Sequence, residues 1–294
     1  DPKNTNIFRF IHAEGDSLPG LIIDFYNGIV VMQMHSIGMF RIRHLFVKIL
    51  QELFGSQLKA VYDKSSSTLP FKANINPKDE FLLGNAENII SDEHGYRFII
   101  NWRQGQKTGF FIDQRENRKL LENYCSGKNV LNVFGYTGGF SVYAMGGGAT
   151  MVHTVDSSKH AIDLTHENIA LNFPDQSAHE EFATDAFKYL EDIDQKYDVI
   201  ILDPPAFAKH RNVLPNALQG YKRINARAIS QIKPGGILFT FSCSQVVSKE
   251  NFRKSIFTAA ANTGRSVRIL HQLGQPLDHP VNIYHPESEY LKGL

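Results

Sequence analysis

The sequence predicts an α/β protein: a Rossmann-like, seven-stranded, mainly parallel sheet covered by helices, preceded by a smaller α+β domain. Three observations predict it. From Lys128 onward, short apolar runs alternate with amphipathic stretches of helical length, the pattern of strands joined by crossover helices. Residues 1–85 follow a different pattern, with closely spaced turn and hairpin signals. The length of 294 residues suits two domains.

In the first domain, Ile7 to Ile11 and Leu21 to Phe25 read as strands flanking the turn-rich Gly15-Asp16-Ser17-Leu18-Pro19-Gly20. Asn27-Gly28 is a hairpin signal before the apolar Ile29 to Met34. Met39 to Phe54 has helical periodicity and stops at Gly55. The polar stretch 63–79 reads as a linker, which places the domains at 1–85 and 86–294. A second hairpin is expected around His94-Gly95. In the larger domain the expected strands are Val130–Phe134, Met151–Val155, Glu181–Ala183, Val199–Leu202, Ile237–Phe241 and Val267–Leu270, with a seventh short run at Tyr290-Leu291.

Composition narrows the function classes. The sequence holds no apolar run of the ~20 residues that cross a bilayer, so no membrane partner is expected. The net charge of +1 gives no general affinity for polyanions, so a nucleic-acid partner needs a local basic patch. Cys125 and Cys243 have no metal-ligand or disulfide-framework spacing. They read as thiols of a cytoplasmic protein, and no metal is expected. The start, Asp1-Pro2-Lys3-Asn4, lacks Met and suggests a fragment.

Ligands of open parallel sheets bind at the carboxyl ends of the strands. The first strand of the larger domain ends in Phe134-Gly135-Tyr136-Thr137-Gly138, a tight turn that lets a ligand approach the backbone. The second ends at Asp156-Ser157, an acid placed to accept from ribose hydroxyls or to cap the next helix. The third ends at Asp185-Ala186, where the acid faces an adenine or again caps a helix. The fourth runs into Asp203-Pro204-Pro205-Ala206-Phe207, whose prolines stiffen the chain and remove two N–H donors. An acid before Pro-Pro at this strand end marks methyltransferases acting on planar, nitrogen-containing substrates, and a dehydrogenase has no use for it.

With the 105–115 segment, Gly105-Gln106-Lys107-Thr108-Gly109-Phe110-Phe111-Ile112-Asp113-Gln114-Arg115, and with Thr240-Phe241-Ser242-Cys243-Ser244, Asp278-His279-Pro280-Val281 and Tyr290-Leu291-Lys292-Gly293, these motifs occur in a family's order. Over nearly the whole chain the sequence resembles the bacterial 23S ribosomal RNA cytosine-C5 methyltransferase I family. Three departures stand out: the PUA RNA-binding domain with which members usually begin is missing, Phe-Gly-Tyr replaces the commoner Phe-Ser-Tyr, and Ala206 stands where Lys is frequent.

The resemblance implies a class I fold, S-adenosylmethionine as cofactor and 23S rRNA as partner. It implies that Thr108 and Phe110 line the methionine part, that Phe134 to Gly138 pass under the ligand, and that Asp156-Ser157 and Asp185-Ala186 take the ribose and adenine. It also makes Cys243 a nucleophile, where the sequence alone reads it as a small apolar residue at a strand end. A thiolate suits cytosine C5, because sulfur attack at C6 turns C5 into an enamine-like carbon. Asp203 would hold the base.

Lys209 to Arg227 carries Lys209, Arg211, Lys222, Arg223 and Arg227 without an acid. This segment reads either as an RNA track across the site mouth or as a solvated helix face. Pro204 and Pro205 border the expected substrate, and Phe207 and Tyr221 are expected to stack a displaced base. Two other functions remain open on sequence: an RNA nitrogen methyltransferase with Cys243 idle, and an RNA-binding assembly factor without turnover. The oligomeric state is open, a homodimer included.

Overall fold

The computed structural model describes residues 4–70, 75, 77–87, 89–175, 177–208 and 210–294. The chain forms two compact units, Asp1–Arg115 with Pro276–Ser288, and Glu116–Gln275 with Glu289–Leu294. The break therefore lies thirty residues beyond the expected 85/86 boundary, and a late excursion returns to the first unit. Long-range polar contacts explain why: Asp278 accepts from the Arg115 guanidinium at 2.9 Å and from the Arg9 backbone N–H at 3.1 Å. Local periodicity cannot reveal such a return.

The first unit contains β1 (Ile7–His12), β2 (Leu21–Tyr26), β3 (Ile29–Met34), α1 (Ile37–Arg41), α2 (Arg43–Phe54), β4 (Ala60–Asp63), β5 (Glu80–Leu83) and the hairpin β6 (Ile89–Glu93) and β7 (Tyr96–Ile100). Its sheet runs in the order β1-β2-β3-β4-β5. Asn27 and Gly28 both take positive φ, 46° and 94°, which matches the twist of the β2–β3 hairpin as the sequence signal requires. His94 and Gly95 do the same between β6 and β7. The α1 and α2 segments link β3 to its parallel neighbour β4. Phe46, Val47 and Leu50 of α2 are buried against the sheet, each burial worth about 1.5–3 kcal/mol.

The second unit runs α3 (Arg115–Glu122), β8 (Asn129–Val133), α4 (Gly139–Gly146), β9 (Met151–Asp156), α5 (Lys159–Asn172), β10 (His179–Ala183), α6 (Ala186–Tyr189), β11 (Val199–Leu202), α7 (Leu214–Gln231), β12 (Ile237–Ser242), α8 (Lys249–Thr263) and β13 (Lys292–Gly293), with Arg115 itself grouped in the first unit. Strand order is β10-β9-β8-β11-β12-β13, parallel except for β13. Successive crossovers run outward from β8 on one side and from β11 on the other. The switch point thus lies between β8 and β11, where a crevice opens at the strands' carboxyl ends. Val199 to Leu202 are wholly buried, so the apolar run without alternation belongs to a strand covered on both faces.

Among the described residues this sheet has six strands, not the expected seven. Residues 265–270 form no ladder. An apolar cleft of about 360 Å³, lined by both Ile237–Thr240 and Val267–His271, lies beside β12. A single bridge, Leu273 to Gly293, ties the later part of this stretch to β13. Val267, Ile269 and Leu270 stay 42–64% exposed, so their apolar character read as a strand without the pairing that makes one.

Candidate active site

The turn after β8 is built by close approach. Gly135 donates its N–H to Val155 O at 3.0 Å, and any Cβ there would come under 3.0 Å of Thr154 Cγ2. Gly138 has φ 76°, and a Cβ would lie 2.7 Å from Thr165 Cγ2. Phe134 and Tyr136 also take positive φ, a conformation that costs a bulky residue energy. Side chains from α5 hold the turn there: Thr165 Oγ1 donates to Tyr136 O at 2.9 Å and Asn168 Nδ2 to Thr137 O at 2.9 Å. Gly138 caps α4, whose N-terminus therefore follows the turn directly.

Beneath the turn lies a buried polar chain. Asn132 Nδ2 donates to Ser141 Oγ at 2.9 Å, Ser141 and Thr154 hydroxyls share a 2.6 Å bond, and Thr154 meets His179 Nε2 at 2.8 Å. Burial, opposed by Glu181, pushes the His179 pKa down to about 4, so the ring is neutral at pH 7. The sequence reading missed Thr165, Asn168 and this chain. Helical spacing of Thr165 and Asn168 on one α5 face was the available signal, but only the fold sets that face against the turn.

Asp156 ends β9 half-buried, with one oxygen accepting the Tyr136 N–H at 3.0 Å and the other the Ser158 N–H at 2.9 Å. Each carboxylate oxygen keeps a further acceptor site for hydroxyls in the crevice. Ser157 is exposed, and it is Ser158 that caps α5. Asp185 caps α6 through a 2.9 Å bond from Lys188 N, and Ala186 is buried in the sheet core.

Asp203 follows β11, and β11 and β12 pair in parallel with Leu202 opposite Thr240. Cys243, just after β12, consequently reaches the same rim: its Sγ lies 3.9 Å from Pro204 O. Ser244 Oγ donates to Ala208 O at 2.5 Å, clamping the two loops together. Pro204 is buried and Pro205 exposed. The structure brings together the Gly turn, Asp156, Asp185, Asp203 and Cys243 at the carboxyl end of one sheet.

A family model described as S-adenosylmethionine-dependent methyltransferase matches residues 10–283. The chain belongs to that family. It is 39% identical over 292 residues to ribosomal RNA large subunit methyltransferase I of Aeromonas salmonicida, covering 98% of this chain and 73% of the relative. The protein of the same name from Escherichia coli O139:H28 is 38% identical with the same coverage. Among solved structures, SMU.776 complexed with SAH superposes with a TM-score of 0.85 at 27% identity, over 99% of this chain and 75% of that one.

The residues of this methyltransferase fit S-adenosylmethionine. The backbone turn, the acid with acceptor sites left at the end of β9 and the acid at the end of β10 are the donor and acceptor set that a nucleoside-bearing cofactor needs at a switch point. Within the first unit, the Thr108 hydroxyl donates to Asp24 at 2.5 Å and pairs with Tyr26 OH at 2.8 Å, and the Phe110 ring sits 4.9 Å from Phe98. One expected position is corrected. Tyr221 cannot stack a base, because it is fully buried, takes a 2.9 Å bond from Ser242 Oγ and packs its ring on Phe252. Phe207 lies half-buried above it, with ring centroids 4.7 Å apart.

Of the basic segment, Lys209 lies outside the described residues. Arg211 and Arg223 are exposed, and the Arg223 guanidinium sits 5.4 Å from the Phe187 ring centroid. Arg227 is engaged with Glu191 at 3.0 Å. Cys125 is buried and donates to Leu121 O at 3.2 Å, and burial pushes its thiol up to about 12. Its buried, bonded thiol is structural.

Proposed function

We propose that this methyltransferase acts in the cytoplasm on large-subunit ribosomal RNA and forms 5-methylcytosine through a covalent Cys243 adduct. The observation that carries the reading is the shared rim: the Cys243 sulfur stands 3.9 Å from the carbonyl that follows Asp203. The names of the relatives support rRNA as substrate.

The Cys243 thiolate attacks C6 of the cytosine, which breaks the ring's aromaticity and puts electron density on C5. Bound S-adenosylmethionine supplies the electrophilic methyl group that C5 takes up. Loss of the C5 proton to a base then expels the sulfur and restores the C5–C6 double bond. Asp203 hydrogen-bonds the amino group or protonated N3 and stabilises the charge that develops there. Phe207 offers a half-exposed face for the base, worth about 1–3 kcal/mol by stacking. Arg211 and Arg223 hold the phosphates nearby. The first unit serves as an accessory RNA-binding domain, with Arg41, His44 and Lys48 exposed around α2.

The test is Cys243→Ala, measured by methyl transfer to ribosomal RNA from a deletion strain, by nucleoside mass mapping and by S-adenosylmethionine calorimetry. Methyl transfer is expected to vanish while cofactor affinity stays within about twofold, well under the tenfold that 1.4 kcal/mol represents. Full activity in that variant, or a methyl group mapped to a ring or exocyclic nitrogen, overturns the mechanism.

A further inference from the structure

Lysine is almost never fully buried unless something holds its charge. Lys292 is only 5% exposed. It stands on β13, directly opposite Ser242 in the antiparallel β12–β13 pair, so it neighbours the residue before Cys243. Its Nζ donates to Ser244 O and to Val247 O, both at 2.6 Å. Two of its three donors are thus spent on the loop that begins at Cys243.

We propose that Lys292 is a positioning residue for Cys243: its ammonium fixes the loop after β12 and supplies the positive charge that stabilises the Cys243 thiolate. The inference rests on the reading of Cys243 as nucleophile. The surroundings of the sulfur require such a charge. Pro204 O, 3.9 Å away, accepts from the neutral S–H and favours it over the thiolate. Asp203 on the neighbouring loop adds negative charge, and Tyr221 approaches from α7 as a buried neutral phenol. Lys292, from β13, contributes positive charge to these surroundings, with Glu289 and Lys249 acting on it in turn.

Burial lowers the Lys292 pKa to about 8, and the strongest influence working against that is a charged Cys243. The coupling is reciprocal: whatever a thiolate contributes to keeping Lys292 protonated, the ammonium returns to keeping Cys243 ionised. At pH 7 Lys292 is mainly charged.

The test measures the thiol itself. Iodoacetamide alkylation of Cys243, followed by peptide mass spectrometry to separate it from Cys125, is recorded from pH 5 to 10 in wild type, Lys292→Met and Lys292→Arg. Loss of the charge is expected to raise the alkylation midpoint by about one unit, a tenfold fall in thiolate fraction at pH 7. The observed rate there falls by only about threefold, because a more basic thiolate is also more nucleophilic. Lys292→Arg is expected to keep the midpoint near that of wild type.

An unchanged midpoint in a folded Lys292→Met, or equal shifts in the Met and Arg variants, overturns the charge role and leaves a loop clamp. Should the Met variant fail to fold, the midpoint of Lys292→Gln decides by the same criterion. The outcome is separable from the mechanism above: active Cys243→Ala would refute the adduct, whereas the alkylation profile judges Lys292 without any turnover.

Discussion

Replacing Gly135 by alanine tests how the cofactor turn is held. The added Cβ would fall under 3.0 Å from Thr154 Cγ2, and 3.2 Å from Asn132 Nδ2. Thr154 cannot simply rotate away, because its hydroxyl is fixed by Ser141 at 2.6 Å and His179 at 2.8 Å. Breaking both bonds costs about 2 kcal/mol at about 1 kcal/mol each. Shifting the turn instead carries the usual overpacking cost of about 1–3 kcal/mol. Both routes give a loss near 2 kcal/mol. Where the turn moves, S-adenosylmethionine affinity falls by roughly tenfold, the equivalent of about 1.4 kcal/mol.

Thr154→Ser supplies the control, since it deletes Cγ2 and keeps the hydroxyl. Alone it costs about 1 kcal/mol for the lost buried methyl. In the Gly135→Ala background it is expected to restore both the urea midpoint and the cofactor Kd, a favourable coupling of about 1–2 kcal/mol in the double-mutant cycle. Urea denaturation and calorimetry on the four proteins complete the assay. A Gly135→Ala protein with wild-type midpoint and affinity, or strictly additive losses in the double variant, would refute the steric argument.

Two further predictions follow from the titratable groups. Burial, with Arg9 and His279 nearby, lowers the His12 pKa from 6.5 to about 4. The unfolded chain therefore takes up a proton that the fold refuses, and stability present above pH 6.5 is lost as pH falls toward 4. The full loss is about 3 kcal/mol from this group. His12→Asn should flatten the decline of the urea midpoint between pH 6.5 and 4, and an unchanged slope would show that His12 does not drive it. The Cys125 thiol, pushed up to about 12, should resist iodoacetamide at pH 8 in the native protein and react once urea exposes it. Rapid native labelling of Cys125 would contradict its burial.

Periodicity and punctuation were enough to locate most elements. The Asn27-Gly28 and His94-Gly95 turns need positive φ, which a local dipeptide encodes, and both hairpins form as expected. The runs after Lys128 become β8 to β12, and β11, covered on both faces, is apolar without alternation. Val267–Leu270 has the same local character, yet residues 265–270 form no ladder. Apolar composition reports a tendency to leave water, and a ladder additionally requires a backbone neighbour.

The strand-end acids and Cys243 were readable for a similar reason. Residues just after the parallel strands must share one edge, whatever packs around them. What each side chain faces is another matter. Tyr221 follows the Asp-Pro-Pro segment closely in sequence, but its position on α7 turns it under Phe207 into the core. Thr108 lies within a family motif, and its hydroxyl is bonded to Asp24, 84 residues earlier.

Sequence alone determined the order of strands and helices, the turns and the chemical groups at the strand ends, because these depend on backbone preferences and on a period of two or 3.6 residues. Tertiary structure decided the return of Pro276–Ser288 to the first unit, the polar chain under the Gly turn and the burial of Lys292 beside the Cys243 loop. Those arrangements are set by contacts between residues tens to hundreds of positions apart, whose energies no local pattern records.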